Sequence, residues 1–386
     1  MYSRFRTRVV NVGNLPMGGD YPVRVQSMTN TDSLDTKATV AQSILMIEAG
    51  CEYVRITVPG MKEAENLRNI RSDLRRQGYT TPIIADVHFK PLVAEIAATI
   101  AEKVRINPGN YIPSSVTRRA SPETDPGNIL EQIADRLSPL LKICKSHGTA
   151  IRIGVNHGSL SDRIMDLYGD TPLGMVESAL EFARVCESLS FHDLVFSMKA
   201  SNVRMMIAAN RLLAERMKQS GMNYPIHLGV TEAGAGEDGR IKSAIGIGSL
   251  LADGIGDTIR VSLTEDPEFE IPVAYKILQT TGVRITKTEF IACPSCGRTQ
   301  YDIQAALREI QAKTSHLKGL KIAVMGCVVN GPGEMADAHY GCVGAGIGKI
   351  NLYKGDVPVK KNIDESLAAE ALVELIKESG DWIERD

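Results

Sequence analysis

Short β-branched runs alternate with longer helical patterns from residue 22 to about residue 282. Strands are predicted near residues 23–27, 53–57, 82–87, 102–106, 149–154, 193–198, 226–230 and 257–263. Helices are predicted at about residues 36–50, 63–77, 91–101, 127–146, 172–188, 201–219, 241–252 and 268–281. Eight such units predict a (β/α)8 barrel of the TIM type. A doubly wound open sheet is the main alternative, but no GxGxxG motif follows the first strand, which disfavours its dinucleotide-binding form.

The same triplet, apolar–Arg–apolar, occurs inside five of the predicted strands. Its arginines are Arg24, Arg55, Arg105, Arg152 and Arg260. Because strand side chains alternate between two faces, these arginines point into the barrel if the flanking Val and Ile residues face the helices. Further along the strands, the same face carries Asp86, His88, Asn107, Asn156, Ser197, Lys199 and Ser262. We therefore expect these polar groups to converge on the carboxyl-terminal mouth, where the active sites of TIM barrels lie.

The charge of this inward face predicts an anionic ligand. A single inward arginine could form a structural ion pair with a neighbour such as Asp86. Five arginines together with Lys199 are too much positive charge for a barrel interior without an anionic partner. Phosphates fit best, because guanidinium groups pair with phosphate oxygens.

Composition and cysteine usage narrow the class of protein further. The formal net charge of −2 gives no case for nucleic acid, and no apolar run is long enough for a membrane span. The chain has 7 cysteines and no recognisable secretory signal. An odd number of cysteines without such a signal predicts a reducing compartment, and the cytoplasm is the expected location.

The pattern changes after about residue 285. We expect a substrate-binding barrel at residues 1–283 and a smaller α+β domain at residues 284–386. In the second domain the sequence predicts a helix at about 301–315, a buried strand at 322–325, a hairpin around 341–353 and a closing helix near 364–380. Within the barrel, the proline-containing segment from Gly109 to Gly127 is interpreted either as a mobile lid or as a solvated excursion.

Four cysteines of the second domain predict a metal site. Cys293 and Cys296 form a C-x2-C pair, which can bind one metal ion or adjacent irons of a cluster, and Cys327 can be a third ligand. The fourth ligand could be Cys342, His339 or Glu334. The spacing favours an iron–sulfur cluster over zinc, since a zinc ribbon would need two further ligands. Glycines around Cys327 would let backbone N–H groups approach cluster sulfurs.

At this point the sequence resembles a known family, the 4-hydroxy-3-methylbut-2-enyl diphosphate synthases of the methylerythritol phosphate route to isoprenoids. The resemblance covers nearly the whole chain, and the string M-G-C-x-V-N-G-P-G-E from Met325 to Glu334 is its most specific part. The other segments that carry the resemblance are residues 25–31, 84–89, 104–110, 197–201, 228–234 and 293–298.

The resemblance implies an oxidoreductase with a [4Fe–4S] cluster. Such enzymes reduce 2-C-methyl-D-erythritol 2,4-cyclodiphosphate by two electrons, open its ring and remove water, giving (E)-4-hydroxy-3-methylbut-2-enyl diphosphate. The family's cluster ligands map onto Cys293, Cys296, Cys327 and Glu334, which leaves Cys342 as a structural thiol. Ferredoxin or flavodoxin is the expected electron donor.

A cyclic diphosphate also carries the negative charge that the inward cations require. The substrate-binding set expected on this basis is Arg24, Arg55, Asp86, His88, Arg105, Asn107, Arg152, Asn156, Lys199, Ser201, Asn202, Arg260 and Ser262. Asp86 and His88 are expected to orient arginines or substrate hydroxyls. Glu232, at the mouth end of the seventh strand, is the expected general acid, and pairing with one of the arginines is its structural alternative.

The resemblance leaves the domain arrangement open. For two-domain members of the family, the resemblance implies a head-to-tail homodimer, in which the cluster domain of one subunit covers the barrel of the other. The sequence around Glu334 resembles that of a longer, three-domain type of the family. The stretch between Thr264 and Arg284, however, is too short to contain another domain. The chain is therefore either a natural two-domain variant or one that lacks a middle domain.

Two rival functions remain at this stage. A pterin-binding synthase barrel would make the protein a transferase, but such transfer needs no electron source and leaves the cysteines unexplained. A zinc- or cluster-bearing redox sensor would couple to nucleic acid, for which the charge gives little support.

Overall fold

A computed structural model describes residues 4–88, 90–112, 126–329 and 331–385, which fall into two compact units, Met1–Arg284 and Ile285–Asp386. Within the described part of the first unit, eight parallel strands are hydrogen-bonded in the order β6-β5-β4-β3-β2-β1-β8-β7. They are β1 (Arg24–Met28), β2 (Tyr53–Thr57), β3 (Ile83–Asp86), β4 (Lys103–Ile106), β5 (Ala150–Asn156), β6 (Leu194–Lys199), β7 (His227–Leu228) and β8 (Thr258–Ile259). A parallel bridge between Phe196 and Ile226 joins the two ends of this order. The TIM-type barrel expected from the sequence is confirmed.

Helices follow the strands as the periodicity predicts. They are α1 (Thr36–Glu48), α2 (Met61–Arg76), α3 (Pro91–Ala98), α4 (Pro108–Tyr111), α5 (Pro126–His147), α6 (Asp162–Tyr168), α7 (Pro172–Ser188), α8 (Val203–Gln219), α9 (Gly236–Ala252) and α10 (Glu270–Thr280). The short helices α4 and α6 were not predicted, and β7 and β8 are shorter than expected. The predicted lid or excursion at 109–127 falls mostly on residues 113–125, which lie outside the described residues.

The two faces of the strands have different compositions, as the triplets predict. Val54, Val104, Ile151 and Ile259 belong to the large hydrophobic core between strands and helices. The arginines between such residues have the opposite parity and therefore point into the barrel. Arg105 and Arg152, which lie at the same level of neighbouring strands, are each only 1% exposed, so the barrel interior is buried and charged at this level.

A short hairpin, which the sequence did not predict, packs against the amino-terminal end of the barrel. Val10 and Met17 exchange backbone hydrogen bonds of 3.0 Å. These residues and Val12 share a small apolar core with four inward residues near the starts of strands, Tyr53, Ile84, Ala150 and Val195.

The contacts of Arg24 beside this hairpin differ from the substrate-binding role that was predicted for it. Arg24 is the first residue of β1, and its Nε donates to the Pro16 carbonyl at 3.0 Å. Its Nη1 donates to Glu52 at 2.8 Å, and the same carboxylate accepts from Arg284 at 2.6 Å. Arg24 therefore belongs to an ion-pair network at the amino-terminal end, away from the strand ends where substrate was expected. The triplet alone could not reveal this, because parity fixes the face of a strand but not the level along the barrel.

The second unit is a mixed five-stranded sheet with helices. Its strands are β9 (Glu289–Ala292), β10 (Lys321–Met325), β11 (Tyr340–Gly346), β12 (Lys349–Lys354) and β13 (Val357–Asp364). The sheet order is β13-β12-β11-β10-β9, parallel from β9 to β11 and antiparallel from β11 to β13. The helices are α11 (Ile303–Thr314), α12 (Gly331–Glu334) and α13 (Ala368–Glu378). Strand β13 was missed because it is largely exposed and because Pro358, Lys360, Lys361 and Asn362 interrupt its apolar residues.

No helix in the ranges that the structure describes has both the length and the apolar character needed to cross a membrane.

Candidate active site

A carboxylate between two arginines organises the carboxyl ends of three neighbouring strands. Asp86 ends β3 and accepts a hydrogen bond from Arg55 Nη2 at 2.5 Å and one from Arg105 Nη1 at 3.3 Å. All three side chains are buried. Burial alone would raise the pKa of Asp86, but the charges of Arg55 and Arg105 outweigh it and hold that pKa well below its ordinary range. Asp86 is therefore an anionic anchor for the two arginines, as expected from the sequence.

Arg105 is held on several sides. Its Nη1 lies 2.5 Å from His88 Nε2, and its Nη2 donates to the Gly154 carbonyl at 2.9 Å. The Asn156 side-chain oxygen is a weaker acceptor at 3.4 Å. His88, Asn156 and Asp86 thus fix the guanidinium in one orientation, which prepares it for a ligand without further loss of side-chain freedom.

Two glycines on the inward face make room for the long cations. A Cβ atom on Gly154 would lie 2.5 Å from Arg105 Nε, a distance that real side chains do not show. A Cβ atom on Gly229 would lie 2.8 Å from the Arg260 carbonyl oxygen and 3.0 Å from Lys199 Nζ, so it would also crowd that lysine. The sequence signal for this role is a glycine at an inward strand position, where it marks close approach of another group.

Two further inward cations, Arg152 and Lys103, have no hydrogen-bonded anionic partner among the described residues. The Arg152 Nε and Nη1 and the Lys103 Nζ make no hydrogen bond with any described residue, although both side chains are buried. Lys103 contacts the Tyr53 ring, at 4.7 Å from the centroid. Burial, followed by the charge of Arg152, lowers the pKa of Lys103 well below its ordinary value, and the same causes in the same order act on Lys199. Lys103 was missed by the sequence reasoning, since it begins its strand rather than occupying the triplet.

Arg260 has an anchor that the sequence reasoning also missed. Glu270, at the start of α10, accepts from Arg260 Nε and Nη2, each at 3.3 Å. The only hint in the sequence is an acidic residue in the first turn of a barrel helix, which is common and therefore weak.

The other predicted ligand residues lie in different settings. Asn107 is fully buried, and its side-chain oxygen caps α4 by accepting from Gly109 N at 3.2 Å, while its Nδ2 has no partner among the described residues. Asn202 caps α8 by accepting from Met205 N at 3.1 Å and is exposed, as is Ser201. Ser262 is half-buried beyond the end of β8.

Glu232 has an unusual backbone for an acidic residue. Its φ of 54° lies in the left-handed region, which residues other than glycine rarely adopt. Glu232 lies in the loop that follows β7, and its side chain is exposed. Strained backbone of this kind clusters at functional sites, because the surrounding structure must hold it against its preference.

The four predicted cluster ligands of the second unit line one cavity. Cys293, Cys296, Cys327 and Glu334 all contribute to its wall, and its volume is about 330 Å³. All seven cysteines are free thiols. The donor set of three thiols and one carboxylate is therefore gathered in one place, although the residues come from two separate segments.

Backbone donors and a cation also face these thiols. Gly326 N donates to Cys293 Sγ at 3.1 Å. The backbone N–H and then the side chain of Arg298 lower the pKa of Cys296, which favours the thiolate that metals bind. Such donors are the groups by which a protein stabilises an anionic iron–sulfur cluster.

The two alternative fourth ligands are occupied elsewhere. Cys342 is fully buried in the hydrophobic core of the second unit, and burial raises its pKa to about 12. His339 accepts through Nδ1 from Lys321 N at 2.9 Å. Neither residue lines the cavity of the other three cysteines.

The spacing of the donors fits a cluster better than a single ion. Among the described residues, no group of three or more His, Cys, Asp or Glu side chains converges closely enough to hold one metal ion. An iron–sulfur cluster does not require such convergence, because each ligand binds a different iron.

Fold and site together define a class: a TIM-barrel enzyme with a cationic interior and an additional unit that carries a cysteine-lined cavity. The family described as GcpE TIM-barrel domain matches residues 7–275, and the one described as GcpE protein C-terminal domain matches residues 289–378. The chain belongs to this family, the 4-hydroxy-3-methylbut-2-en-1-yl diphosphate synthases, which are oxidoreductases of the methylerythritol phosphate route to isoprenoid precursors.

Relatives of this family from cyanobacteria match over almost the whole chain. The 4-hydroxy-3-methylbut-2-en-1-yl diphosphate synthase (ferredoxin) of Picosynechococcus sp. is 54% identical over 99% of this chain and 94% of the relative. The protein of the same name from Rippkaea orientalis is 53% identical over 99% of this chain and 94% of the relative. These relatives are therefore of similar length to this chain. Family membership also removes the transferase and sensor interpretations.

Solved structures give only a distant likeness. The 7,8-dihydropteroate synthase from Vibrio fischeri is 16% identical, with a TM-score of 0.43, over 71% of this chain and 98% of the other. A likeness of this degree has no bearing on substrate or mechanism.

Proposed function

We propose that this chain converts 2-C-methyl-D-erythritol 2,4-cyclodiphosphate to (E)-4-hydroxy-3-methylbut-2-enyl diphosphate, using a [4Fe–4S] cluster in its second unit. Two electrons enter the substrate, the carbon–oxygen bond that closes the ring opens, and one hydroxyl group leaves as water. The observation that carries the proposal is the surplus of buried cations at the carboxyl ends of the barrel strands, where Asp86 and Glu270 are the carboxylates bonded to them.

The diphosphate is the group that these cations bind. Arg55 and Arg105 are pre-oriented by Asp86, and the Nε atom of each has no partner among the described residues and can donate to a phosphate oxygen. Arg260 is the third arginine that we assign to the diphosphate. Arg152 and Lys199 supply further charge. The additional hydrogen-bonding groups that we assign to the substrate are His88, Asn107, Asn156, Ser201, Asn202 and Ser262. The unpartnered Nδ2 of Asn107 is the strongest of these assignments, since it is a buried donor without an acceptor among the described residues.

Cys293, Cys296, Cys327 and Glu334 would hold the cluster. The residues present fit this group, because three thiols and a carboxylate line one cavity together with backbone donors to sulfur. When bound, the cluster supplies electrons one at a time. Glu334 is a hard oxygen ligand among soft sulfur ligands, and we propose that it is the exchangeable member of the set.

We assign proton delivery to Glu232. Its side chain is exposed at the end of β7, so it can exchange protons with solvent before substrate covers it. The left-handed backbone at this residue directs its side chain differently from an ordinary strand residue. The leaving oxygen or the organic intermediate is the proposed acceptor of its proton.

Ferredoxin is the electron donor that we propose, since the relatives carry it in their names, and flavodoxin is the alternative. We propose the cytoplasm as the place of the reaction, since all seven cysteines are free, as a reducing compartment favours. A head-to-tail homodimer stays a prediction, which light scattering of the anaerobically purified protein would test.

Single-turnover experiments test the assignments of ligands and substrate. Holoprotein is mixed anaerobically with the cyclodiphosphate and with reduced ferredoxin that supplies two electrons per substrate molecule, and the product is measured by mass spectrometry. We expect product from the wild type, loss of the cluster in Cys327→Ser, and a retained cluster with crippled turnover in Glu334→Ala. Full activity of Glu334→Ala would refute the assignment of that ligand.

A further inference from the structure

The carboxylate of Glu270 is surrounded by donors. Its Oε2 accepts from Ser27 Oγ at 2.7 Å and from Arg260 Nε at 3.3 Å. Its Oε1 accepts from Leu263 N at 3.1 Å and from Arg260 Nη2 at 3.3 Å. Both oxygens therefore have two donors each, and the side chain is only 3% exposed. A carboxylate that is this well satisfied is fixed in position.

These contacts come from three parts of the barrel. Ser27 lies on β1, Arg260 directly follows β8, and Leu263 belongs to the loop before α10, which begins with Glu270 itself. The start of a helix also favours a negative charge, because the unpaired N–H groups there carry partial positive charge. Glu270 is thus held by Ser27 of β1 and by the backbone of Leu263, and not by the side chain of Arg260 alone.

The arrangement leaves a defined part of Arg260 available. Glu270 uses Nε and Nη2, whereas Nη1 has only the Met28 thioether, at 3.2 Å, as an acceptor among the described residues. A thioether sulfur is a weak acceptor, so Nη1 remains a strong donor without a strong partner. The side chain of Arg260 is 17% exposed, which is more than those of Arg105 and Arg55, at 2% and 8%.

Without Glu270, Arg260 would be repelled from this position. The cations Arg55, Arg152 and Lys199 all interact unfavourably with it. A flexible arginine in such a field would turn towards solvent, and its phosphate contact would have to be re-formed at each binding event.

We propose that Glu270 is a positioning residue for the substrate: it holds Arg260 so that its free N–H groups meet the diphosphate. This inference rests on the proposed function, because it takes the cyclodiphosphate as the ligand of Arg260. Glu270 does not touch the substrate and takes no part in proton transfer.

The test compares two carboxylates with similar donors at opposite ends of the barrel. Glu52 accepts from Arg24, Arg284 and Val25 N, at 2.8, 2.6 and 2.9 Å, and thus matches Glu270 in the kind of contacts that it makes. We expect Glu270→Gln to raise KM for the cyclodiphosphate about tenfold with kcat changed much less, because the loss is in binding. Glu52→Gln should leave KM within about twofold of the wild type, even if both variants lose similar thermal stability. Glu270→Asp, which keeps the charge, should recover part of the affinity.

A double variant separates positioning from general stability. In an Arg260→Met background, Glu270→Gln should produce no further rise in KM, because the group through which it acts is gone. Additive effects, or an unchanged KM in the Glu270→Gln holoprotein, would overturn the inference. If Glu270→Gln does not fold, the KM of Glu270→Asp decides: a value equal to that of the wild type counts against the proposal. Failure of the wild type to convert the cyclodiphosphate would instead overturn the proposed function.

Discussion

The two ends of the barrel use the same residue types for opposite purposes. At the amino-terminal end, Arg24 and Arg284 share Glu52, and the Pro16 carbonyl takes a further donor of Arg24. Further along the barrel, level with Asp86 at the end of β3, the buried Arg152 keeps two nitrogens without partners among the described residues.

The difference is one of charge balance. Arg24 has a carboxylate at 2.8 Å and a carbonyl at 3.0 Å, and an apolar hairpin packs beside it, so it behaves as part of the scaffold. At the other end, Asp86 serves both Arg55 and Arg105, and no carboxylate is bonded to Arg152 or Lys199 in the described residues. A buried surplus of cations is unfavourable by itself and therefore indicates an anionic ligand. Predictions that separate the two ends follow, from the largest expected effect to the smallest.

Arg105→Met should have the largest effect. It removes a buried positive charge and the Nε donor, which has no partner among the described residues, whereas Asp86 keeps Arg55 as its partner. A charge-assisted hydrogen bond to phosphate contributes about 1.5–3 kcal/mol, so kcat/KM should fall about 10- to 100-fold. Steady-state kinetics with the cyclodiphosphate measure this, and iron content confirms that the second unit is intact. A fall of less than about threefold would remove Arg105 from the substrate site.

Gly154→Ala should have an intermediate effect. The added methyl group would lie 2.5 Å from Arg105 Nε and must displace the guanidinium. We expect an affinity loss of about tenfold and a destabilisation of about 1–3 kcal/mol, as for overpacked cores. Gly248→Ala, where the nearest contact is 3.7 Å, is the control: the affinity should not change, and an alanine inside this helix should leave the stability unchanged or raise it by up to about 1 kcal/mol. Calorimetric titration and thermal unfolding measure the two effects, and equal affinities for both variants would contradict the role given to Gly154.

Lys103→Met should stabilise the ligand-free protein. The Lys103 ammonium is fully buried beside other cations and has no hydrogen-bond partner among the described residues. Because burial and Arg152 lower its pKa in the folded chain, its protonation destabilises the fold. This destabilisation is complete below the folded pKa and disappears as pH rises towards the unfolded value of about 10.4.

The midpoint of thermal unfolding should therefore rise by about 3 °C or more in Lys103→Met at neutral pH, and the gain should shrink in alkaline buffer. A lower midpoint at neutral pH would show that Lys103 has a stabilising partner.

Arg24→Met should have the smallest effect on turnover. Its contacts lie at the amino-terminal end, so kcat/KM should stay within about twofold of the wild type while the unfolding midpoint falls by a few degrees. A large loss of affinity for the cyclodiphosphate would return Arg24 to the substrate set and remove the distinction between the two ends.

Much of the barrel could be predicted from local pattern. Strand–helix alternation and the apolar–Arg–apolar triplets gave the number of strands and the inward face, because both depend on short-range periodicity. The cysteine spacing gave the three thiols that now share one cavity with Glu334.

The features that the sequence did not predict have a common physical origin. The level of Arg24 along the barrel depends on the hairpin of Val10 and Met17, a contact between distant segments. Glu270 and Gly154 act through side chains that only the closed barrel brings to them. Strand β13 pairs at a sheet edge with a polar sequence, where hydrogen bonding and not burial decides the structure. None of these features leaves a periodic signal in the sequence.

The most direct test is anaerobic purification followed by iron and sulfide analysis, ultraviolet–visible and electron paramagnetic resonance spectra, and addition of the cyclodiphosphate with reduced ferredoxin. We expect about four irons and four sulfides per chain, as a [4Fe–4S] cluster requires, spectra that change when substrate binds, and formation of the linear diphosphate. Zinc without iron, or a cluster whose spectra do not respond to the cyclodiphosphate and which yields no product, would contradict the account.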